Sequence, residues 1–199
     1  MDNIFKKSIE ESIELKKLLL DNSYIQNILF IGNLIVTSII NGNKLMFCGN
    51  GGSAADAQHL AAELLVRLRP KINRAAIPAL SLSLDTSTIT ACGNDFGFDF
   101  LYERNVLALG KKGDVLICLS TSGQSKNIEL AAIAAKSIGV ITYGMLGNDG
   151  GVIKKICDYS IVVPSRNTAR IQECHMVLGH ALMEYIEDNL IEKSFVKKF

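Results

Sequence analysis

The 199-residue chain lacks an excess of charge of either sign. It carries 21 basic and 20 acidic residues, which gives a formal net charge of +1. A protein that attracts nucleic acid through its overall field needs a basic surface, and the composition indicates none. We therefore expect no nucleic-acid partner, and we expect any anionic ligand to be held by a local site.

The sequence also lacks the cysteine spacing of a disulfide framework or a structural zinc site. Its five cysteines are scattered, and none of them forms a Cys-x-x-Cys pair. Isolated thiols in odd number are typical of reduced cysteines in the cytoplasm. The first 17 residues mix both signs of charge and do not resemble a signal peptide. These features predict a cytoplasmic protein.

No apolar run is both long and pure enough to indicate a membrane span. The most apolar segment, residues 24–40, contains five polar side chains and is short for a bilayer. We interpret it as a helix that is apolar nearly all round and needs burial on several sides. An amphipathic helix is predicted before it, over residues 4–21, with Ile9, Ile13 and Leu20 on its apolar side. Two such helices on a small domain suggest that another subunit covers them.

After residue 44 the sequence alternates short apolar segments with helical ones. Strands are predicted at residues 45–49, 77–82, 114–120, 139–146 and 160–164. The segments between them read as helices, one ending near residue 68 and the last spanning 168–190, with a loop at 93–97. This alternation is typical of a doubly wound, mainly parallel α/β sheet with helices on both faces. Because no linker or repeat interrupts it, residues 1–199 are predicted to form a single domain.

Two loops that follow predicted strands have the chemistry of a phosphate site. In Asn50-Gly51-Gly52-Ser53 the glycines let backbone N–H groups approach a ligand closely. Residues 120–125, Ser-Thr-Ser-Gly-Gln-Ser, offer several hydroxyls at a helix start, where unpaired N–H groups favour anions. Either loop alone could hold plain N-caps, but the two together favour a phosphomonoester. Neither matches a Walker loop or G-x-G-x-x-G, so no nucleotide cofactor is expected.

A carboxylate and two imidazoles are predicted to face one crevice. His59 and Glu63 are four residues apart and so lie on one face of the helix after the first loop. On the C-terminal helix, Gln172 and His180 are eight residues apart, a rotation of roughly 80° that lets both point into one cleft. An isolated histidine on a helix is more often structural than functional, so the pairing needs a chemical reason.

Two kinds of chemistry suit these side chains. Aldose–ketose isomerisation needs a base beside the reacting carbon and a second group that moves protons between the oxygens. Glu63 fits the first role and His180 the second. Alternatively, His59, Glu63, Gln172 and His180 are metal ligands, because imidazole and carboxylate groups suit zinc, although glutamine is an uncommon ligand. The residues alone leave both interpretations open.

Four segments resemble the phosphoheptose isomerases, single-domain members of the sugar isomerase (SIS) family. They are CGNGGSAADAQHLAAEL (48–64), CGNDFGFD (92–99), GDVLICLSTSGQS (113–125) and RIQECHMVLGH (170–180). The resemblance implies a homotetramer with active sites at subunit interfaces, in which the helices of residues 1–41 pack. It implies conversion of sedoheptulose 7-phosphate to D-glycero-D-manno-heptose 7-phosphate, the first step toward nucleotide-activated heptose for lipopolysaccharide or capsule.

The resemblance also implies roles for individual residues. Glu63 resembles the base and His180 its partner, and a zinc site of several members matches His59, Glu63, Gln172 and His180. The positions that match phosphate or sugar contacts are Asn50, Gly51, Gly52, Ser53, Arg67, Asn94, Asp95, Ser120, Thr121, Ser122, Ser125 and Gln172. Ala169 departs from the pattern, since some members carry an aspartate there, and this puts one sugar-hydroxyl contact in doubt.

Two other functions compete with this interpretation. Similar proteins that bind a replication initiator are non-catalytic regulatory modules, but they lack the glutamate and the second histidine that are present here. An isomerase of another sugar phosphate is the second alternative. Amino-sugar enzymes usually add a second domain or an amidotransferase, for which this chain has no room.

Overall fold

The computed structural model describes residues 2–83 and 85–199, and in this part of the chain five parallel strands form one sheet. They are β1 (Leu45–Gly49), β2 (Ala79–Ser81), β3 (Val115–Ser120), β4 (Ile141–Gly147) and β5 (Tyr159–Val163). The order across the sheet is β2-β1-β3-β4-β5. The chain therefore winds outward from β1 to β2 and then returns to the other side of β1, which makes the edge between β1 and β3 the switch point where ligands bind in such sheets.

In the described part of the chain, eight α-helices cover the sheet. They are α1 (Asp2–Leu18), α2 (Asn22–Ile40), α3 (Gly52–Ala62), α4 (Thr86–Asp95), α5 (Leu101–Leu109), α6 (Lys126–Ser137), α7 (Gly151–Ile156) and α8 (Thr168–Glu192). A π-helical turn, Glu63–Arg67, continues α3, and a 3-10 turn, Phe98–Phe100, precedes α5.

The core has two halves, one on each face of the sheet. Alternate residues of β1 divide between them, because successive side chains of a strand point to opposite faces. Leu45 and Phe47 join the half that α2, α3 and α8 complete, whereas Met46 and Cys48 join the half under α5, α6 and α7. The predicted doubly wound α/β fold is confirmed.

One local prediction is wrong, and a second is correct in extent but not in helical type. The predicted loop at residues 93–97 is helical as far as Asp95, because α4 is capped at its start by Asp85 and tolerates Gly93 in its last turn. The helix predicted to run to residue 68 leaves the α-helical pattern at Glu63 and becomes a π-helical turn. The first difference places Asn94 and Asp95 in a helix, and the second places Glu63 and Arg67 in a π-helical turn.

The apolar sides of the first two helices are only partly covered within one chain, and their cover by another subunit stays a prediction. Ile9 is 60% exposed and Leu20 is 73% exposed, whereas Leu15 of α1 and Leu19, just after its end, pack against the core. Only one side of α2 is buried, against α8 and the sheet, and Phe30 remains half-exposed. The burial of α2 on several sides is thus not achieved within one chain.

By length and composition, α2 would also qualify as a membrane span. It has 19 residues, a mean hydropathy of 1.5 and 39% of its apolar window buried. Core helices meet the same criteria, and α2 contributes Ile31, Ile35 and Ile39 to the half of the core beneath α8.

Candidate active site

The carboxyl ends of β1 and β3 lie side by side, with Gly49 paired to Leu119, and each strand leads into a helix N-terminus. Among the residues that the structure describes, no side chain caps the start of α3 or α6. By contrast, α2, α4 and α8 are capped by Asp21, Asp85 and Asn167. The N–H groups of Ser53 and Ala54 bond to the Asn50 and Gly51 carbonyls. The positive ends of two helix dipoles nevertheless face the same edge of the sheet, which is an arrangement that favours an anion.

The glycines of the first loop permit two close approaches. A Cβ atom on Gly49 would lie 2.4 Å from the carbonyl oxygen of Ser53, so only glycine lets the turn fold back onto the strand end. A Cβ atom on Gly52 would lie 2.7 Å from both the amide nitrogen and oxygen of Gln172. Gly51 has a φ of +54°, a conformation that glycine adopts without strain. The loop thus exposes its backbone and lets Gln172 of α8 lie directly over it.

The second loop is a turn with hydroxyl groups. Ser120 Oγ accepts a hydrogen bond from the backbone N–H of Gly123 at 3.1 Å and lies 3.4 Å from Ser125 Oγ. Ser122 Oγ accepts from the backbone N–H of Gln124 at 3.2 Å and is exposed. As an acceptor from a backbone N–H, Ser122 keeps its own O–H proton available for a ligand, whereas the contact between Ser120 and Ser125 uses the proton of one of those two hydroxyls. Thr121 lies in the same turn, and Ser53 is buried at the start of α3.

Two asparagines join these loops. Asn50 Nδ2 donates to Asn127 Oδ1 at 2.8 Å, and Asn127 Nδ2 donates back to Asn50 Oδ1 at 2.8 Å. Asn127 is in the first turn of α6 and is 2% exposed. The sequence prediction included Asn50 and missed Asn127, whose importance depends on a partner 77 positions away.

His59, Glu63 and His180 converge on one point. Nε2 of His59 lies 2.9 Å from Nε2 of His180 and 3.2 Å from Oε1 of Glu63. Among the described residues, these three form the one group of His, Cys, Asp or Glu side chains whose ligand atoms all lie within 4.8 Å of one another. The predicted i, i+4 pairing of His59 with Glu63 and the meeting with α8 are both present.

The two imidazole nitrogens and the carboxylate oxygen all point lone pairs at one another, so a proton or a cation must lie between them. Only one of two contacting imidazole nitrogens can carry the proton between them, and an ionised carboxylate only accepts. A proton on His59 Nε2, shared between Glu63 and His180, would satisfy the group, and so would a divalent cation in its place. The donor set of two imidazoles and a carboxylate is that of known catalytic zinc sites, so these residues fit zinc.

Gln172 lies beside this cluster, attached to a residue that the sequence prediction missed. Its Nε2 donates to Asp56 Oδ1 at 3.0 Å, which leaves its carbonyl oxygen as the free acceptor. Asp56 is 7% exposed, and its second oxygen, Oδ2, has no partner among the described residues. Burial raises the pKa of Asp56, while the hydrogen bond from Gln172 and the nearby His59 act in the opposite direction. The sequence did hold one signal for Asp56, because it lies three residues from both Ser53 and His59 on the same helix.

The remaining predicted sugar contacts lie on exposed surfaces. Arg67 ends the π-helical turn, and within the described residues its side chain makes no hydrogen bond or ion pair. Asn94 donates to Asp95 at 2.7 Å at the end of α4. In the described part of the chain, the side chains of Arg67, Asn94 and Asp95 therefore make no hydrogen bond to residues 120–125 or to His59, Glu63 and His180.

Comparison with known proteins identifies the family of this chain. A model of the SIS domain matches residues 11–147, so the chain belongs to the SIS-domain family. Curated phosphoheptose isomerases from Clostridium acetobutylicum and Aquifex aeolicus are 46% and 44% identical to it. These alignments cover 96% and 95% of this chain and 96% and 97% of the relatives.

Solved structures give the same result. Phosphoheptose isomerases from Neisseria gonorrhoeae and Francisella tularensis match with TM-scores of 0.82 and 0.84, at 38% and 34% identity. Each match covers 94% of this chain and 96% of the other. Within the SIS family, the chain is therefore a member of the phosphoheptose isomerases, which are aldose–ketose isomerases.

Proposed function

We propose that this protein converts sedoheptulose 7-phosphate to D-glycero-D-manno-heptose 7-phosphate through an enediol. The observation that carries the proposal is the convergence of His59, Glu63 and His180, of which His59 and Glu63 follow the first phosphate-type loop along α3 and its π-helical continuation. Ser53 and His59 are six residues apart on α3, which separates them by ~9 Å along the helix axis. A ligand with a phosphate at one end and a reacting carbonyl toward the other would bridge these two groups.

The phosphate would bind at the starts of α3 and α6. Support comes from the N-termini of both helices and from the hydroxyls of Ser53, Ser120, Ser122 and Ser125. The hydroxyls and N–H groups that hold the phosphate are neutral, and the positive ends of two helix dipoles offset its negative charge, so no lysine is needed. Thr121, Gly51 and Gly52 complete this cradle, and Asn50 orients it.

Glu63 would act as the base. Its Oε1 faces His59, which leaves Oε2 to take the proton from the carbon next to the carbonyl and return it to the neighbouring carbon. When no metal occupies the site, His180 would then move a proton between the two substrate oxygens, because a ring nitrogen that holds zinc has no lone pair left for a proton. We assign Arg67, Asn94 and Asp95 to the sugar hydroxyls, as the family pattern implies.

Zinc is the proposed cofactor. His59, Glu63 and His180 would hold it, and Gln172 would add its carbonyl oxygen, which the hydrogen bond to Asp56 leaves free. When bound, zinc supplies a Lewis acid that polarises a carbonyl or hydroxyl oxygen. The protein's own groups orient the substrate and carry the protons.

We further propose that the protein works as a homotetramer with interface active sites. The exposed apolar side of α1 and an apolar groove of about 310 Å³ between α1, α2 and α8 support association. Leu19, Leu20, Ile25, Ile28, Val177 and Ala181 line this groove. Leu20→Glu should reduce the mass in light scattering, whereas Ile133→Glu, an exposed apolar residue on the opposite face of the sheet, should not. An unchanged mass for Leu20→Glu would remove this groove from the interface.

The proposed location is the cytoplasm, where the product would feed nucleotide-activated heptose for lipopolysaccharide or capsule. The reduced state implied by five buried free cysteines supports this location.

Turnover tests the proposal directly. Ketose phosphates of five, six and seven carbons should be compared with protein as purified, after chelation, and after zinc is restored. We expect turnover with the seven-carbon substrate, loss on chelation and recovery with zinc. Turnover that survives chelation would reject zinc and retain Glu63 and His180. Turnover with another ketose alone would change the substrate, and no turnover in any state would favour a non-catalytic SIS module.

A further inference from the structure

One buried arginine holds the turn that carries Glu63. Arg74 Nη2 donates to the carbonyl oxygen of Glu63 at 2.8 Å, and its Nη1 donates to that of Leu64 at 2.8 Å. Nη1 also reaches the carbonyl of Ala75 at 3.0 Å. A π-helical turn shifts its hydrogen bonds out of the regular α-helical ladder, and such turns are frequent at functional sites. The guanidinium therefore fixes carbonyl groups at the junction where α3 becomes the π-helical turn.

Arg74 is in turn fixed to α8. Its Nε donates to Glu187 Oε1 at 2.6 Å, and both side chains are fully buried. The other oxygen of Glu187 accepts from Arg69 Nε at 2.7 Å, and the remaining nitrogens of Arg69 contact Asp188. Glu187 lies seven residues after His180, close to two helical turns, so both side chains leave the same side of α8. The arginine links the turn with Glu63 to the helix with His180.

Stability alone does not explain this arrangement. A buried ion pair is often no more stabilising than a well-packed apolar pair, because burying the charges costs about as much as their attraction returns. A guanidinium does offer a rigid planar fork with several donors, which an apolar side chain lacks. That fork spans two adjacent carbonyls of the chain and one carboxylate of α8.

We infer that Arg74, oriented by Glu187, is a positioning residue for Glu63. It fixes the π-helical turn so that the Glu63 carboxylate stays within 3.2 Å of His59 and faces His180. Misplacement of a reacting group by about 1 Å can cost on the order of a hundredfold in rate, so a small shift of this turn would matter. The catalytic consequence rests on the proposed function, whereas the effect on the turn itself does not.

The test compares Arg74→Lys with Arg69→Lys. Both lysines keep a positive charge beside Glu187, but only Arg74 touches the carbonyls of Glu63 and Leu64. For Arg74→Lys we expect kcat to fall by about tenfold or more with KM changed by less than about twofold. Arg69→Lys should keep kcat within about twofold. Thermal unfolding of each variant separates these effects from loss of folded protein.

Amide hydrogen exchange without substrate provides a second readout. Arg74→Lys should lose protection at residues 63–67, and Arg69→Lys should retain it. The inference is overturned if Arg74→Lys keeps its kcat, if both variants lose kcat equally, or if exchange at residues 63–67 is unchanged. Should Arg74→Lys fail to fold, Glu187→Gln replaces it, with the same pattern expected and the same outcomes decisive. A wild type without turnover would reject the proposed function, while the exchange data would still decide the role of Arg74.

Discussion

Asn50 and Asn127 donate a hydrogen bond to each other, both of 2.8 Å, across the gap between the loop after β1 and the start of α6. An amide pair of this kind uses one donor and one acceptor on each side, so it fixes both the distance and the relative orientation of its two segments. The two halves of the proposed phosphate cradle therefore keep their spacing before a ligand arrives. Preorganisation of this kind lowers the cost of binding.

Asn127→Ala should raise KM by roughly tenfold, the equivalent of about 1.4 kcal/mol. The change removes the link and leaves the Asn50 amide free to rotate, while the reacting groups on α3 and α8 are untouched. Steady-state kinetics on sedoheptulose 7-phosphate measure the effect. The control is Asn189→Ala, which loses a hydrogen bond to Tyr185 within α8. Equal KM values for Asn127→Ala and the wild type would show that the loops hold their spacing without the pair.

Glu63→Gln should lose most turnover and retain substrate binding. The substitution keeps the shape of the side chain but removes the base, whose contribution to rate is typically on the order of 10² to 10⁴. Rates and calorimetric binding of the sugar phosphate measure the two effects separately. Glu192→Gln makes the same change of charge at the exposed end of α8 and should be neutral. Normal turnover by Glu63→Gln would remove Glu63 from its role.

Ser122→Ala should act mainly on KM. Its hydroxyl is exposed in the second loop and, as an acceptor from Gln124, retains a proton to donate to phosphate. Loss of one hydrogen bond to a charged group costs about 1.5 to 3 kcal/mol, so KM should rise by about tenfold or more. Ser137→Ala, at the other end of α6, is the matched control. An unchanged KM for Ser122→Ala would argue against this loop as the phosphate cradle.

His175 should make stability depend on pH. It is fully buried, and this burial lowers its pKa below the ordinary value of 6.5, although a hydrogen bond at 3.0 Å to the Leu146 carbonyl acts in the opposite direction. Below about pH 6.5 the unfolded chain therefore binds a proton here that the native state does not. The free energy of unfolding must fall as the pH decreases through this range, until the lowered native pKa is reached.

His175→Gln tests this dependence, because glutamine can still donate to Leu146 and does not titrate. The difference in the free energy of unfolding between wild type and variant should be constant above about pH 7. Below about pH 6.5 it should shift in favour of the variant by up to about 1.4 kcal/mol per pH unit. Urea unfolding across this range gives the measurement. A difference that does not vary with pH would mean that His175 titrates alike in both states.

The sequence predicted features that depend on neighbours along the chain. Apolar runs between glycines were sufficient for β1 and β3, and helical spacing was sufficient for His59 with Glu63. The prediction was wrong for α4, because it placed Gly93 in a loop. In the structure, a helix capped by Asp85 continues through Gly93 to Asp95. The Asn127 link, the Asp56 contact with Gln172 and the Arg74 network all join residues distant in sequence. No local pattern announces such contacts, since they exist only once the helices have docked.

The SIS-domain match ends at residue 147, yet α8 begins at Thr168. The strand ends and loops proposed to hold the phosphate therefore belong to the shared module, whereas Gln172 and His180 come from a segment beyond it. The helix that brings these two residues also supplies Ile171, Leu182 and Ile186 to one half of the core. The reactive centre is therefore assembled only when that half of the core has folded around α8.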